Sequence, residues 1–292
     1  MVRLLLFTLL VAMWATPARA QDATRVTVLV DAFSDRTDLE MDWGYSALVE
    51  HRGRRILFDA GNNAKLFRHN VEQLGLDLQN LDFVVISHRH GDHTDGLKYL
   101  LGINPGVAVY VADDEYFGGP TPPQFFARAA PTLPARMRYF NGVVPDTVPH
   151  GSPWSHANRH RVRAPLELAP GVRVVSNLST GSSFTETPEL SLVLETPDGQ
   201  VVLVGCAHPG IEAILESVQA KTRPVRLLVG GLHLVTTPDA EVARFAERLA
   251  NEWKVQGVAP GHCTGEHAFS MLSQRYGTRY RYAGVGTVIE LD

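Results

Sequence analysis

Apolar residues along the chain gather into short runs rich in β-branched side chains. They lie at Val26–Val30, Ser46–Glu50, Arg55–Phe58, Phe83–Ser87 and Val107–Val111, and again at Val172–Ser176, Leu190–Leu194, Val201–Val204, Arg226–Val229 and Thr287–Leu291. Runs of this length and composition predict strands. Between them the spacing turns helical: Leu66, Phe67, Val71 and Leu74 share one face, as do Ile211, Ile214, Leu215 and Val218. Thr237-Pro238 predicts a cap and a first-turn proline ahead of Val242, Phe245 and Leu249, and Gly265–Tyr276 predicts a last helix stopped by Gly277. The early strands follow one another as hairpins do, and the later ones alternate with helices. The pattern therefore predicts an α/β chain of two packed sheets with helices outside. One stretch resists it. Between Pro120 and Pro165 stand nine prolines with no sustained period, and loops this long are usually functional lids or disordered. It predicts an insertion over about 118–166 that acts as a lid or pocket wall.

The first twenty residues stand apart from the fold. Met1-Val2-Arg3 is a short positive start, Leu4–Ala15 an apolar run, and Thr16-Pro17-Ala18-Arg19-Ala20 ends in the small-x-small pattern of a cleavage site. The run is short of the roughly 20 residues a membrane span needs, so the reading is a signal peptide over residues 1–20; the alternative is an uncleaved N-terminal anchor. A chain starting near Gln21 would be exported, periplasmic or secreted, without stable membrane insertion. No repeat, charge block or low-complexity linker divides residues 21–292, which read as a single domain. The whole chain has 27 Lys+Arg against 31 Asp+Glu; losing Arg3 and Arg19 makes that 25 against 31, a net charge of −6. There is no basic excess or stripe for nucleic acid.

The chemistry lies in the histidines. Ser87-His88-Arg89-His90-Gly91-Asp92-His93-Thr94 follows directly on the apolar run Phe83–Ser87. Three imidazoles and a carboxylate on a turn leaving a buried strand offer nitrogen and hard oxygen donors, a mixture suited to zinc, with iron or manganese as alternatives, and not to calcium. His88 and His90 can converge on one ion, and Asp92 and His93 on a second. Two further strand-to-loop junctions deliver donors: Gly205-Cys206-Ala207-His208-Pro209-Gly210 and Pro260-Gly261-His262-Cys263-Thr264-Gly265. Taken alone, each histidine is as readily a satisfied loop residue. Beside the first cluster, ligand roles gain weight, because two ions need more than four donors. Two cysteines cannot form a disulfide framework. Cys206 and Cys263 each adjoin or nearly adjoin a candidate histidine, and three readings stay open: metal ligation by Cys206, a disulfide between the two, or inert buried thiols. His233, after Gly230-Gly231, reads either as a proton donor at the pocket mouth or as a packed strand-end histidine.

The run His88–His93 resembles the His-x-His-x-Asp-His hallmark of the metallo-β-lactamase superfamily. Ile56-Leu57-Phe58-Asp59-Ala60-Gly61 and Trp43–Glu50 are similar to that family's early strands. More narrowly, His90–Leu97, Gly205–Gly210, Gly230-Gly231-Leu232-His233-Leu234 and Pro260–Gly265 together resemble the branch of 7,8-dihydropterin-6-yl-methyl-4-(β-D-ribofuranosyl)aminobenzene 5'-phosphate synthase-like proteins. The resemblance implies a four-layer αβ/βα sandwich with a site for two metal ions, zinc above all. It implies His88, His90 and His208 around one ion and Asp92, His93 and His262 around the other. Two departures stand out. Where most of the superfamily supplies a histidine ahead of the strand at Leu190–Leu194, this chain reads Thr185-Glu186-Thr187-Pro188-Glu189, and the position of the bridging aspartate falls on Cys206. Asp59 reads as structural, fixing the metal-bearing loop through hydrogen bonds.

Two ions a few ångströms apart can share a water, lower its pKa towards about 7 and clamp an oxygen on which charge develops. The expected activity is thus hydrolysis of an ester or phosphoester of a small molecule, with Asp92 orienting the water and His233 protonating the leaving group. An exported β-lactamase or lactonase is the enzymatic alternative. A metal- or ligand-binding protein with little turnover is the alternative of another class.

Overall fold

The computed structural model describes residues 23–114, 126, 130–146, 157–179 and 187–291. The segment read as a signal peptide, and much of the proline-rich stretch, lie outside the described residues. The chain runs β1 (Thr24–Val30), β2 (Ser46–His51), β3 (Arg54–Phe58), α1 (Ala64–Gln73), β4 (Phe83–Ile86), α2 (Leu97–Ile103), β5 (Ala108–Ala112), β6 (Asn158–Val162), β7 (Leu166–Ala169), β8 (Val172–Ser179), β9 (Thr187–Thr196), β10 (Gly199–Val204), α3 (Ile211–Ser217), β11 (Val225–Gly231), α4 (Asp239–Asn251), β12 (Val258–Gly261), α5 (Glu266–Tyr276) and β13 (Val288–Leu291).

Side-chain alternation sorts these strands into layers. In β4, Phe83 and Val85 face a core shared by both sheets, whereas Val84 and Ile86 face α1 and α2. All four are buried, as a strand covered on both faces requires. One sheet has the order β13-β1-β2-β3-β4-β5-β6, the other β12-β11-β10-β9-β8-β7. Leu190, Leu192 and Leu194 of β9 meet Val26, Val49 and Ile56 of the first sheet in the central core; α3, α4 and α5 close the outer face of the second. This is the four-layer αβ/βα sandwich that the resemblance implies. Tight hairpins join β2 to β3, β7 to β8 and β9 to β10. Between β2 and β3, Arg52 and Gly53 both have positive φ, the combination that a two-residue turn matched to strand twist demands. Helices cross over between the parallel pairs β3 with β4, β4 with β5, β10 with β11 and β11 with β12.

The sequence pattern does not announce every element. β6 is Asn-Arg-His-Arg-Val with four exposed residues; an edge strand needs no apolar face. β12 carries Pro260, which a sheet tolerates at its edge. Thus the proline-rich stretch is not irregular to its end: β6 lies inside it and β7 starts at its close. α2 is a seven-residue helix, too short to show a period. α4 starts one residue later than predicted, with Pro238 as its N-cap and no side-chain capping bond from Thr237. No helix among the described residues is long and apolar enough to cross a membrane.

α2 begins against the loop after β3 without room for a side chain: a Cβ on Gly96 would overlap the Ala60 carbonyl and press on the Phe67 ring. Gly102, in the same helix, has open space around its Cα. Gly96→Ala should therefore destabilise the protein by about 1–3 kcal/mol in urea unfolding. Gly102→Ala should be neutral or stabilising by up to about 1 kcal/mol; equal effects would mean that the close approach at Gly96 is not what limits it.

Candidate metal centre

Six strands of the two sheets end at one edge of the sandwich, and each hands a polar residue to it. β1 leads to Asp31, β3 to Asp59, β4 to Ser87 and the His88–His93 turn, β10 to Cys206 and His208, β11 to His233, and β12 to His262 and Cys263. The sheets are tied there by the Leu190 N–H donating to the Ser87 carbonyl at 2.7 Å. Glycine makes the approach possible: a Cβ on Gly205 would overlap the Ser87 hydroxyl, and one on Gly231 would overlap the Gly205 carbonyl and press on the Cys263 sulfur. Asp59, Ala207, His233 and His262 all adopt positive φ. Such strain persists only where the surroundings over-determine it, and it clusters at functional sites.

The six residues predicted as ligands converge. His88 Nε2 lies 2.9 Å from His90 Nδ1, and the His208 ring stands 4.6 Å from His88 and 4.8 Å from His90 between centroids. Deeper in, His93 Nε2 and His262 Nε2 are 3.2 Å apart, with Asp92 Oδ2 at 3.6 and 3.4 Å from them. Cys206 Sγ lies 3.4 Å from His93 Nε2 and 3.2 Å from His262 Nε2, and it is also within 4.8 Å of the donor atoms of His88 and His208. Zinc bonds of about 2.0–2.3 Å at tetrahedral angles put neighbouring donors about 3.3–3.5 Å apart, so the inner spacings fit an ion of that kind. Cys206 stands between the two groups and belongs with the donors, which sequence reasoning left open. Both cysteines are free, buried thiols.

The far nitrogens are fixed as well. His88 Nδ1 meets Ser87 Oγ at 2.8 Å, His93 Nδ1 meets Asp59 Oδ2 at 2.7 Å, and His208 Nδ1 meets Glu189 Oε2 at 2.9 Å. Each ring thereby turns its Nε2 to the centre, as partners behind metal-binding histidines do. Asp59 also accepts from the Ser87 N–H at 2.6 Å and hydroxyl at 2.8 Å, so it holds the turn as the sequence suggests. Burial lowers His88, further depressed by neighbouring imidazoles, and burial lowers His262 to about 4. Both rings are therefore neutral, the form that offers a lone pair. Burial alone would also lower His93, but Asp59 and Asp92 outweigh it and raise the ring to about 9.

Glu189 escaped the sequence reading. It is buried in β9 and accepts from the N–H groups of Cys206 at 2.9 Å, Ala207 at 2.7 Å and His208 at 2.8 Å, besides the His208 ring. Burial opposes its charge, yet these bonds hold its carboxyl at about 2. The available signal was a carboxylate directly ahead of the apolar run Leu190–Leu194. Asp31 escaped too; it receives the His262 N–H at 3.0 Å. On the other side, Trp43 packs 4.7 Å from the His262 ring, and Tyr139 and Phe126 of the proline-rich stretch pack on Trp43. Glu266 pins that stretch by accepting the Ala130 and Tyr139 N–H groups at 2.6 and 3.1 Å. His233 is partly exposed at the mouth, its ring 4.6 Å from His208.

Residues 44–252 match the family model of the metallo-beta-lactamase superfamily, and the chain belongs to that superfamily. Among curated proteins it is 24% identical over 269 residues to a 7,8-dihydropterin-6-methyl-4-(beta-D-ribofuranosyl)-aminobenzene-5'-phosphate synthase of Methanocaldococcus jannaschii, covering 83% of this chain and 87% of that one. It is 27% identical over 258 residues to the uncharacterized protein MJ0448 of the same organism, covering 84% and 92%. Among solved structures it is similar to Tm1679, described as a metal-dependent hydrolase of the beta-lactamase superfamily, with 26% identity, a TM-score of 0.69, and 92% and 99% of the two chains covered.

If Glu189 orients His208 and the Cys206 loop, Glu189→Gln should weaken zinc retention roughly 10–100-fold in chelator competition. Unchanged retention would show that the loop keeps its shape without the charge.

Proposed function

We propose that this protein is a hydrolase of a small-molecule ester or phosphoester that works with two zinc ions. In this reading His88, His90 and His208 would hold one ion and Asp92, His93 and His262 the other, with Cys206 between the two sets of donors. The supporting observation is the convergence of five imidazoles, Asp92 and Cys206 from both sheets, with Ser87, Asp59 and Glu189 orienting the rings from behind. Ions held there would supply an activated water and a positive clamp for the oxygen on which charge develops. The chain's own residues do the rest. His90, His208 and His233 are partly exposed whereas Asp92, His93 and His262 are buried, so substrate enters on the side of His90 and His208. His233, at that mouth, donates the proton to the leaving group. Asp92 holds the attacking water in line from within.

The phosphoester preference draws on the curated relative named as the synthase of an aminobenzene-5'-phosphate, and the hydrolytic class on the similarity to Tm1679. Export belongs to the same proposal and rests on the N-terminal segment; N-terminal sequencing of secreted material should begin near Gln21.

The purified, zinc-loaded protein should turn over a phosphodiester or phosphomonoester faster than a lactone, and a chromogenic β-lactam least. His88→Ala and Asp92→Ala should each abolish metal-dependent turnover. Full zinc loading with no turnover on any of these substrates would favour a binding protein, and activity retained in zinc-stripped His88→Ala would refute the site.

A further inference from the structure

Cys263 has no part in the hydrolytic reading, yet it is fully buried and aimed at the residue that lies at the heart of it. Its sulfur sits 3.6 Å from the Cys206 carbonyl oxygen and within 4.8 Å of the Cys206 sulfur. The two thiols belong to loops on either side of β11, and they meet only because Gly231, between them, has no side chain: a Cβ there would press on the Cys263 sulfur. The described residues contain no other cysteine. A thiol pair packed beneath a histidine cluster, Cys206 beside His93 and His262 and Cys263 beside His233, is an arrangement for sulfur chemistry within the pair.

We propose that Cys206 and Cys263 form a peroxide-sensitive dithiol whose oxidation disables the metal centre. One sulfur of the pair, as its thiolate, attacks a hydroperoxide: a sulfur–oxygen bond forms, the O–O bond breaks, and hydroxide leaves, giving a sulfenic acid. The other sulfur then attacks that sulfur. An S–S bond forms, the S–O bond breaks, and water leaves with the second thiol's proton. In sum, two thiols give up two electrons and two protons, and hydrogen peroxide becomes two waters. Rotation about the Cα–Cβ bonds of both residues closes the remaining gap between the sulfurs. Peroxide is small enough to reach Cys206 past the partly exposed His90, His208 and His233. Once in a disulfide, Cys206 sulfur has no thiolate to offer to an ion, and its side chain is drawn from the imidazoles of His93 and His262 towards β12. Conversely, an ion held on Cys206 withholds the thiolate from peroxide, so metal loading protects the pair. This second half rests on the metal reading above; the disulfide itself does not.

The test treats the zinc-stripped and the zinc-loaded full chain with hydrogen peroxide, then counts thiols under denaturing conditions, measures intact mass and determines zinc per chain. The stripped protein should lose both thiols, lose the mass of two hydrogens and stay monomeric on a non-reducing gel. It should then bind at most half as much zinc, with thiols and zinc capacity restored by a dithiol reductant. Zinc-loaded protein should keep its thiols at least roughly tenfold longer. Cys263→Ser should show no loss of two hydrogens, while retaining its zinc capacity before oxidation. Two free thiols after oxidation of the stripped protein, or oxygen gain in place of hydrogen loss, would overturn the disulfide. Equal rates with and without zinc would overturn its coupling to the metals. Failure of the hydrolytic reading would appear elsewhere, as zinc binding without turnover, and leaves these thiol readouts intact.

Discussion

The site edge of this protein depends on one constraint, that several carboxyl groups must be taken out of water without being left alone there. A buried polar or charged group is tolerated only when it is hydrogen-bonded or paired. Asp59 answers with the Ser87 N–H and hydroxyl and the His93 ring. Glu189 answers with three consecutive N–H groups and the His208 ring. Asp31 receives the Ala32 and His262 N–H groups. The shape of every donor-bearing loop is thus the shape that satisfies a carboxylate beneath it. Removing one of those carboxylates would strand several buried donors at a cost of about 1–3 kcal/mol each. The same bonds that solve the burial problem also set which nitrogen His93 and His208 present.

A second constraint acts from the opposite side. The wall around His262 is aromatic: Trp43 lies against the ring, with Tyr139 and Phe126 behind it. Those last two come from the proline-rich stretch, held by the buried carboxylate of Glu266. The stretch therefore reaches the inner donors through two layers of rings, while His90, His208 and His233 stay partly exposed. One flank of the site is dry and fixed, and the other is open.

Much of this was readable beforehand because its causes are local. The His88–His93 run declares itself by donor density on a turn after an apolar strand, and the runs that form β1 to β5 and β8 to β11 carry their own hydrophobic signature. Edge strands β6 and β12 do not, since one needs no apolar face and the other carries a proline. Glu189 was hidden for a different reason. Its partners, Cys206 to His208, lie on the next strand's far end, and only the β9 to β10 hairpin register brings them to it. The place of Cys206 among the donors is likewise a three-dimensional fact: His93 and His262, its neighbours at 3.4 and 3.2 Å, come from different sheets.

The seam where Leu190 meets Ser87 has a kinetic consequence. His88 to His93 ride on the sheet built mainly from the first half of the chain, whereas Cys206, His208 and His262 ride on the other. Contacts of such sequence separation are among the last to form, because loop-closure entropy must be met before they reward the chain. An ion cannot nucleate this fold as it does a zinc finger; it can only reward the finished docking of the two sheets. Bound metal is therefore a reporter of native assembly, and variants that loosen the seam should shed it while their strands and helices are still intact.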